Sequence, residues 1–181
     1  MHEASAGATF RALHENPDIF VKPNAWDVDT ARILTALGFP ALATTSAGLA
    51  YTLGRRDARR AVRRADALAQ ARTIVQATEL RVSADLENGF ADDPQGVADT
   101  ATRAAATGLA GCSIEDATGT PGSAIYAFDL PVERIAAAAE AARAAPVDFL
   151  PTARAENFLN GHPDIDDTIT RLQAFESAGI A

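Results

Sequence analysis

Short apolar runs alternate with longer helical stretches along the whole chain, and this alternation constrains the fold more than any other feature. The apolar or β-rich runs cover residues 19–22, 41–45, 80–86, 111–115 and 148–153. Each run is followed by turn residues and then by a helical pattern. Because a crossover helix returns the chain to the same end of a sheet, the alternation predicts parallel strands and an α/β fold.

The predicted helices have clear end signals. They cover residues 5–14, 28–37, 59–77, 94–107, 131–145 and 165–178. Asp93 precedes Pro94 as a capping acid before a proline at the first helical position, and Gly38, Gly108 and Gly179 follow helices where a left-handed residue is needed.

The length of 181 residues fits a single domain, residues 1–181. A complete (β/α)₈ barrel usually takes about 250 residues, so the chain accommodates about five βα units and the start of a sixth strand at residues 179–181. Two architectures follow: an open and complete sheet, or a barrel that lacks its last strands and helices.

Charge and cysteine content narrow the function classes. A net charge of −8 disfavours nucleic acid and anionic membranes as partners and favours a small-molecule ligand. A single cysteine forms no internal disulfide and no thiolate metal site, and the N-terminus shows no signal segment, so the cytoplasm is the expected location.

The polar residues at the ends of the predicted strands are the candidate site. Asp85 and Glu87 share one face of the third strand, with Leu86 on the other, and Glu115 ends the next strand. Oxygen ligands without cysteine or histidine suit Mg²⁺. The alternative is that these acids cap helices or stay solvated.

Two further strand ends carry groups that bind anions. The turn at residues 46–48 offers a hydroxyl and backbone N–H groups, and Arg154 can bind a carboxylate or phosphate with two hydrogen bonds. The alternatives are that residues 46–48 form a common turn with no binding role and that Arg154 is solvated or paired with an acid.

Taken together, the strand ends resemble those of the isocitrate lyase and phosphoenolpyruvate mutase superfamily, in particular its carboxyvinyl-phosphonate mutase-like group. The likeness runs from about Val21 to Ala181, apparently truncated at the C-terminus. Its segments are PNAWD at 23–27, TSAGL at 45–49, Leu53-Gly54 with Asp57, SADLENG at 83–89, SIED at 113–116 and ARAE at 153–156.

The resemblance implies a (β/α)₈ TIM barrel of the phosphoenolpyruvate mutase type, a homo-oligomer when the barrel is complete. It implies Mg²⁺ as cofactor and a small 2-oxo or 2-hydroxy carboxylate, such as pyruvate or oxaloacetate, as substrate. The implied activity is that of a lyase or mutase that makes or breaks a C–C bond through an enolate. A P–C bond is the second choice.

The resemblance also implies roles for individual residues. Asp85 is similar to the direct metal ligand, and Glu87 and Glu115 to acids that reach the metal mainly through water. Asp57 resembles the family's acid on the loop after the second strand, and Arg154 its substrate-binding arginine, so that Asp57, Glu115 and Arg154 form the implied catalytic set. The remaining implied substrate-binding residues are Ser46, Gly48 and Leu49.

The chain departs from the family at the loop after the fourth strand. Isocitrate and methylisocitrate lyases carry Lys-Lys-Cys-Gly-His there, whereas this chain has ATGTPG at 117–122 and therefore no catalytic thiol. Cys112, on the strand face opposite Glu115, is predicted to be a small buried residue. The lysine and asparagine of a mutase-type gating loop are also missing, so the loop either closes over substrate or is a plain turn.

Two non-enzymatic alternatives remain at this stage. One is a truncated barrel remnant with little or no activity alone, whose uncovered edges serve assembly. The other is an open doubly wound domain that binds a small anion. The arginine run at residues 55–64 is predicted to be a solvated helix face paired with acids rather than a binding surface for phosphate-rich partners.

Overall fold

The computed structural model describes residues 6–57, 59–120 and 123–180. Its strands are β1 (Ala41–Ala43), β2 (Arg81–Asp85), β3 (Gly111–Glu115), β4 (Ala117–Thr120), β5 (Ser123–Ile125) and β6 (Leu150–Arg154). Its α-helices are α1 (Ala6–Glu15), α2 (Val28–Ala36), α3 (Ser46–Thr52), α4 (Arg64–Gln76), α5 (Pro94–Ala105), α6 (Asp129–Ala144) and α7 (Ile165–Ser177). A 3₁₀ turn covers Phe158–Asn160.

The central sheet is parallel, as the alternation predicts, and its strand order is β1-β2-β3-β6. Residues 23–25 extend the sheet beyond β1 through the bridge between Asn24 and Ala43. The order follows the chain in one direction without reversal. A doubly wound sheet reverses its order at a switch point, so the winding is that of a barrel.

The helix boundaries have local causes that the sequence shows. Asp93 accepts a hydrogen bond from the Gly96 amide at 2.8 Å, and Pro94 occupies the first helical position of α5. The predicted stops are confirmed, because Gly38, Gly108 and Gly179 have φ values of 83°, 91° and 98°.

The main core lies between the sheet and helices α4 to α7. On α5, buried Val97, Ala101 and Ala104 recur at helical spacing. On α6, Ile135 and Ala138 are buried in the same core cluster. The small alanine side chains let these helices lie close to each other and to the strands, which fixes the strand ends relative to one another.

Helix α1 covers the amino ends of the strands. Phe10 is fully buried against Ala41, Ala110 and Leu150, which lie at or beside the first residues of β1, β3 and β6. Gly111 has no room for a side chain, because an added Cβ would lie 2.2 Å from the Leu150 carbonyl oxygen. Helix α1 and this close packing thus occupy the amino ends of β1, β3 and β6.

The first predicted strand is wrong in position. Residues 19–22 form no strand, and Ile19 and Val21 are 98% and 59% exposed. The pairing with β1 falls later, where the Ala25 amide donates to Ala43 and the Ala43 amide donates to the Pro23 carbonyl. The apolar composition of the run indicated a strand, but no strand of the described residues pairs with it.

The predicted helix at 59–77 begins later, and a helix before it was missed. Helix α4 starts at Arg64, since Arg60 has a φ of 50° that an α-helix does not accommodate. Helix α3 is instead formed by residues predicted as a turn, with Thr45 as its N-cap. The loop after β3 forms the antiparallel hairpin of β4 and β5; Pro121 and Gly122 lie outside the described residues.

The arginine run is not a helix face, because most of it precedes α4. The pairing with acids is confirmed for four of its members: Arg55 and Arg63 bind Asp66, Arg60 binds Asp92, and Arg64 binds Asp99. No helix in the described parts of the chain is both long enough and apolar enough to cross a membrane.

Candidate active site

A cleft of about 430 Å³ opens at the carboxyl ends of the parallel strands. It is lined by Ser46, Asp57, Arg59, Arg60, Glu87, Asn88, Glu115, Ala117, Gly119, Thr120, Ala124, Arg154, Glu156, Leu159 and Asn160. Five of the predicted site residues are among them: Ser46, Asp57, Glu87, Glu115 and Arg154. The cleft lies where α/β barrels hold their chemistry.

Asp85 lies at the end of β2, beside the cleft, with its carboxylate 11% exposed. One carboxylate oxygen, Oδ2, accepts from the Ser46 amide at 3.1 Å and lies 3.4 Å from Arg154 Nη1. The other, Oδ1, accepts from the Glu87 amide at 3.1 Å. These contacts from three separate segments hold the Asp85 side chain in a fixed orientation.

Arg154 connects the acids of three strand ends. Its Nη2 lies 2.7 Å from Glu115 Oε2, and its Nε lies 2.7 Å from Glu156 Oε1, in addition to the contact with Asp85. The neighbouring carboxylates raise the pKa of Arg154 against the opposing effect of burial. The arginine is therefore a permanent cation inside an acidic cluster.

Two acids of the cluster hold protons more tightly than usual. Burial raises the pKa of Glu87 to about 7, with Asp85 and Asp57 adding to the effect. Burial likewise raises the pKa of Glu115 to about 8; the charge of Arg154 opposes this shift, and other carboxylates, including Asp85, reinforce it. The carboxylates are thus close enough to repel one another, as the sequence predicts for strand ends that meet.

Gly48 and Leu49 do not line the cleft. Both are buried in α3, where their amides donate to Thr45, the N-cap residue. Gly48 has no room for a side chain because an added Cβ would lie 2.8 Å from Trp26 Cγ. Their substrate-binding role stays a prediction.

Sequence reasoning missed a connected set of polar residues at the rim of the cleft. Arg60 donates from Nε to the Thr118 carbonyl at 2.7 Å and pairs with Asp92 and the Tyr126 hydroxyl. The Asn88 side chain donates to the same hydroxyl at 3.1 Å. This set ties the loop of Asp57 to the β4–β5 hairpin, and no local pattern in the sequence signals such pairing.

Glu156 was quoted in the sequence motif without a role. It is 7% exposed, and its amide donates to Asp116, which in turn binds Arg171 of α7 at 3.1 Å. The i, i+2 spacing from Arg154 could have indicated that both side chains face the cleft.

Cys112 is fully buried, and burial raises the pKa of its thiol to about 12. We expect iodoacetamide to leave the folded protein unlabelled at pH 8 and to label it fully in denaturant, because the thiolate is the reactive form. Mass spectrometry of the two samples measures this. Rapid labelling of the native protein would show that the thiol is accessible and that its predicted structural role is wrong.

The acids of the cluster fit a divalent cation that keeps part of its water shell. Within the described residues, no group of three or more acids, histidines or cysteines surrounds one point closely enough to hold a metal directly. Mg²⁺ commonly uses only one or two carboxylates and keeps several waters. Asp85 and Glu156 outnumber the single charge of Arg154, and Glu87 and Glu115 add oxygen donors that release their protons when a cation binds. The cluster thus has the oxygen donors and the negative charge that such an ion requires.

Comparisons with known proteins agree with this fold. A family model described as phosphoenolpyruvate phosphomutase matches residues 10–181. An uncharacterised protein of Mycobacterium tuberculosis is 35% identical over 173 residues, which cover 94% of this chain and 62% of that protein. The chain belongs to the phosphoenolpyruvate phosphomutase family, within the superfamily that also includes isocitrate lyase.

Solved structures show the same architecture. A Burkholderia cenocepacia J2315 protein classed as a lyase/mutase has a TM-score of 0.92 and 52% identity over 97% of this chain and 62% of its own. A 2,3-dimethylmalate lyase of the same superfamily has a TM-score of 0.87 and 29% identity, covering 98% and 62%. A phosphonopyruvate hydrolase solved with oxalate and Mg²⁺ shares the fold, with a TM-score of 0.89 at 23% identity.

The chain spans about three fifths of the length of the proteins that it matches. Over that span its α/β fold with a parallel sheet is the fold of these TIM-barrel relatives.

Proposed function

We propose that this chain forms the metal and substrate site of a Mg²⁺-dependent lyase or mutase. Its substrate is a small 2-oxo or 2-hydroxy carboxylate, in which a C–C bond, or less expectedly a P–C bond, is made or broken through an enolate. The observation that carries the proposal is the convergence of Asp57, Glu87, Glu115 and Arg154 on one cleft, with Asp85 held beside it.

The charges in the cleft support an anionic substrate together with a cation. Asp85, Glu87 and Glu115 would hold Mg²⁺, with Asp85 as the direct ligand. Bound there, Mg²⁺ supplies a Lewis acid that stabilises negative charge developing on a carbonyl oxygen. A carboxylate substrate alone would be repelled by this many acids.

The chain's own residues have distinct roles in the proposal. Arg154 presents its guanidinium, 39% exposed, at the cleft wall, where it binds the substrate carboxylate. Asp57 lies on the opposite loop and carries the proton transferred at the reacting carbon. The β4–β5 hairpin covers one side of the cleft and limits access of water.

Oxalate tests this proposal because it mimics the planar enolate of a 2-oxo acid. In protein already saturated with Mg²⁺, oxalate near 100 times its Kd is expected to raise Tm in a thermal melt by roughly a further 5–10 °C, which corresponds to about 2.7 kcal/mol. Oxalate without Mg²⁺, and Mg²⁺ with acetate, serve as controls. A folded sample whose Tm is unchanged by the pair contradicts the proposed function.

Turnover distinguishes an enzyme from the remnant. Purified protein is incubated with Mg²⁺ and a panel of 2-oxo and 2-hydroxy dicarboxylates and phosphonopyruvate, and release of a 2-oxo acid is measured by mass spectrometry. Oxalate binding without turnover would identify a non-catalytic site. Assembly as a homo-oligomer also belongs to the proposal.

A further inference from the structure

The turn that follows β2 has an unusual backbone. Glu87, Gly89 and Phe90 have φ values of 48°, 72° and 56°. Only glycine adopts this left-handed region without cost, so two of these residues, including the site acid Glu87, are held in an unfavourable conformation. Such a conformation persists only where the surroundings enforce it.

The carbonyl groups of this turn are held from two helices. Arg134 of α6 donates from Nη2 to the Asn88 carbonyl and, at 3.1 Å, to the Ala91 carbonyl. The Thr100 hydroxyl of α5 donates to the Gly89 carbonyl at 2.6 Å. The turn is therefore fixed by side chains that come from outside it.

Arg134 is an unexpected residue at this position, because it is fully buried and forms no salt bridge with any described residue. Its guanidinium lies over the Tyr126 ring, 4.2 Å from the centroid, while Nε and Nη1 have no hydrogen-bond partner among the described residues. Burial of an unpaired guanidinium is costly. An apolar residue would fill the same space at a lower cost in free energy, so packing alone does not explain an arginine here.

The turn held by Arg134 is connected directly to the acidic cluster. The Glu87 amide donates to Asp85 Oδ1, and the Glu87 carbonyl accepts from the Glu115 amide at 2.9 Å. A change in the backbone at Glu87 therefore alters the relative placement of all three acids.

We propose that Arg134 is a positioning residue that enforces the left-handed turn at Glu87 and thereby holds Asp85, Glu87 and Glu115 in the arrangement that binds a divalent cation. The cation site itself rests on the proposed function. Arg134 does not itself line the cleft, and it contacts the cleft residue Asn88 only at the backbone carbonyl, so it acts through the turn.

The test compares Arg134→Met, which keeps length and packing but removes the donors, with Arg134→Lys, which keeps a charge and a donor. Ile135→Ala is the matched control, because Ile135 is the next residue of α6, is buried, and is in the main core. Mg²⁺ affinity is measured by titration calorimetry, and exchange of the Gly89 and Glu115 amides by NMR in the absence of metal.

Arg134→Met is expected to weaken Mg²⁺ binding by about 10- to 100-fold, the range found when a group that orients a metal ligand is lost. Its Gly89 and Glu115 amides exchange faster than in the unsubstituted protein, and Arg134→Lys restores part of both properties. Ile135→Ala lowers Tm but leaves Mg²⁺ affinity and the two exchange rates, corrected for stability, unchanged.

Wild-type Mg²⁺ affinity and amide protection in folded Arg134→Met would overturn the inference. Failure of both Arg134 variants to fold would overturn it as well, because the residue would then belong to the core rather than to the turn. If the unsubstituted protein does not bind Mg²⁺, the proposed function fails, while the amide exchange rates still decide whether Arg134 enforces the turn.

Discussion

Asp85→Ala is expected to abolish the joint stabilisation by Mg²⁺ and oxalate and to lower any Mg²⁺-dependent turnover by about 100- to 1000-fold, the loss that follows removal of one strong electrostatic partner of a developing oxyanion. Asp85 is the acid that three segments orient together, through the Ser46 amide, the Glu87 amide and Arg154. Glu87 and Glu115 cannot replace it, because Glu87 lies in the turn after β2 and Glu115 at the end of β3, each at a different place in the cleft.

Asp99→Ala is the matched control for this prediction. Asp99 is an aspartate of the same chain that binds Arg64 and Arg103 on the surface, away from the cleft. Its replacement should lower the free energy of unfolding, and therefore Tm, only slightly, as for other exposed pairs, and leave turnover intact. Thermal melts and the turnover assay at saturating Mg²⁺ measure both variants, and ordinary activity in Asp85→Ala would reject its role as metal ligand.

Arg154→Ala is expected to remove substrate binding and also to make the protein strongly pH-sensitive. The variant loses the cation that contacts Asp85, Glu115 and Glu156. We expect the free energy of unfolding to fall by about 1–3 kcal/mol at pH 8. The loss is smaller than for a fully buried ion pair, because the arginine is partly exposed.

The direction of the pH effect follows from the acids that Arg154 leaves behind. The pKa of Glu115 is already raised from 4.5 to about 8 in the folded protein, and removal of Arg154 raises this pKa further. A carboxyl that holds its proton more tightly when folded makes stability fall as pH rises from about 4.5 to about 8. Below about pH 7 Glu115 keeps its proton in both folded proteins, so the difference in stability between Arg154→Ala and the unsubstituted protein should be nearly constant there. It should grow above about pH 8, where only the unsubstituted protein has released this proton.

Urea titrations at three pH values, about 5, 7 and 9, on both sides of the folded pKa of Glu115, measure this difference, with Arg63→Ala as the control. Arg63 forms an exposed pair with Asp66 at the start of α4, and its loss should have a small effect that changes little across this pH range. A stability loss in Arg154→Ala that is equal at all three pH values would show that repulsion among the acids is not its cause.

The sequence predicts the sheet and the central acids because both follow from local patterns. Buried runs give β2, β3 and β6 within a few residues, and alternation places Asp85 and Glu87 on one face. The carboxyl ends of parallel strands meet at one edge, so the proximity of these acids to Glu115 and Arg154 could be inferred without coordinates.

The elements that the sequence did not predict depend on tertiary contacts. The backbone of Arg60 departs from the predicted helix where its side chain binds Asp92 and the hairpin carbonyl of Thr118, which lie far away along the chain. The run at residues 19–22 has strand composition but pairs with no strand in the described part of the chain. A window of neighbouring residues shows neither the distant partners of Arg60 nor the lack of a partner for this run.

The buried Arg134 illustrates the same limit. Its helix has ordinary amphipathic spacing, in which an arginine would be assigned to the solvent-facing side. The carbonyl groups that it binds belong to a turn more than 40 positions earlier in the chain. Only the three-dimensional structure shows why a charged residue occupies a core position.

The uninterrupted strand order has a consequence for how the protein is synthesised. Strands β2 and β3 are synthesised before β6, so Asp85 and Glu115 precede the guanidinium that pairs with them in the finished sheet. An intermediate in which β2 and β3 are paired without β6 would carry unpaired acids, and a divalent ion or a proton would be its temporary counter-ion. Once β6 docks, Arg154 pairs with Asp85 and Glu115, and the sheet no longer needs an outside counter-ion for these two acids.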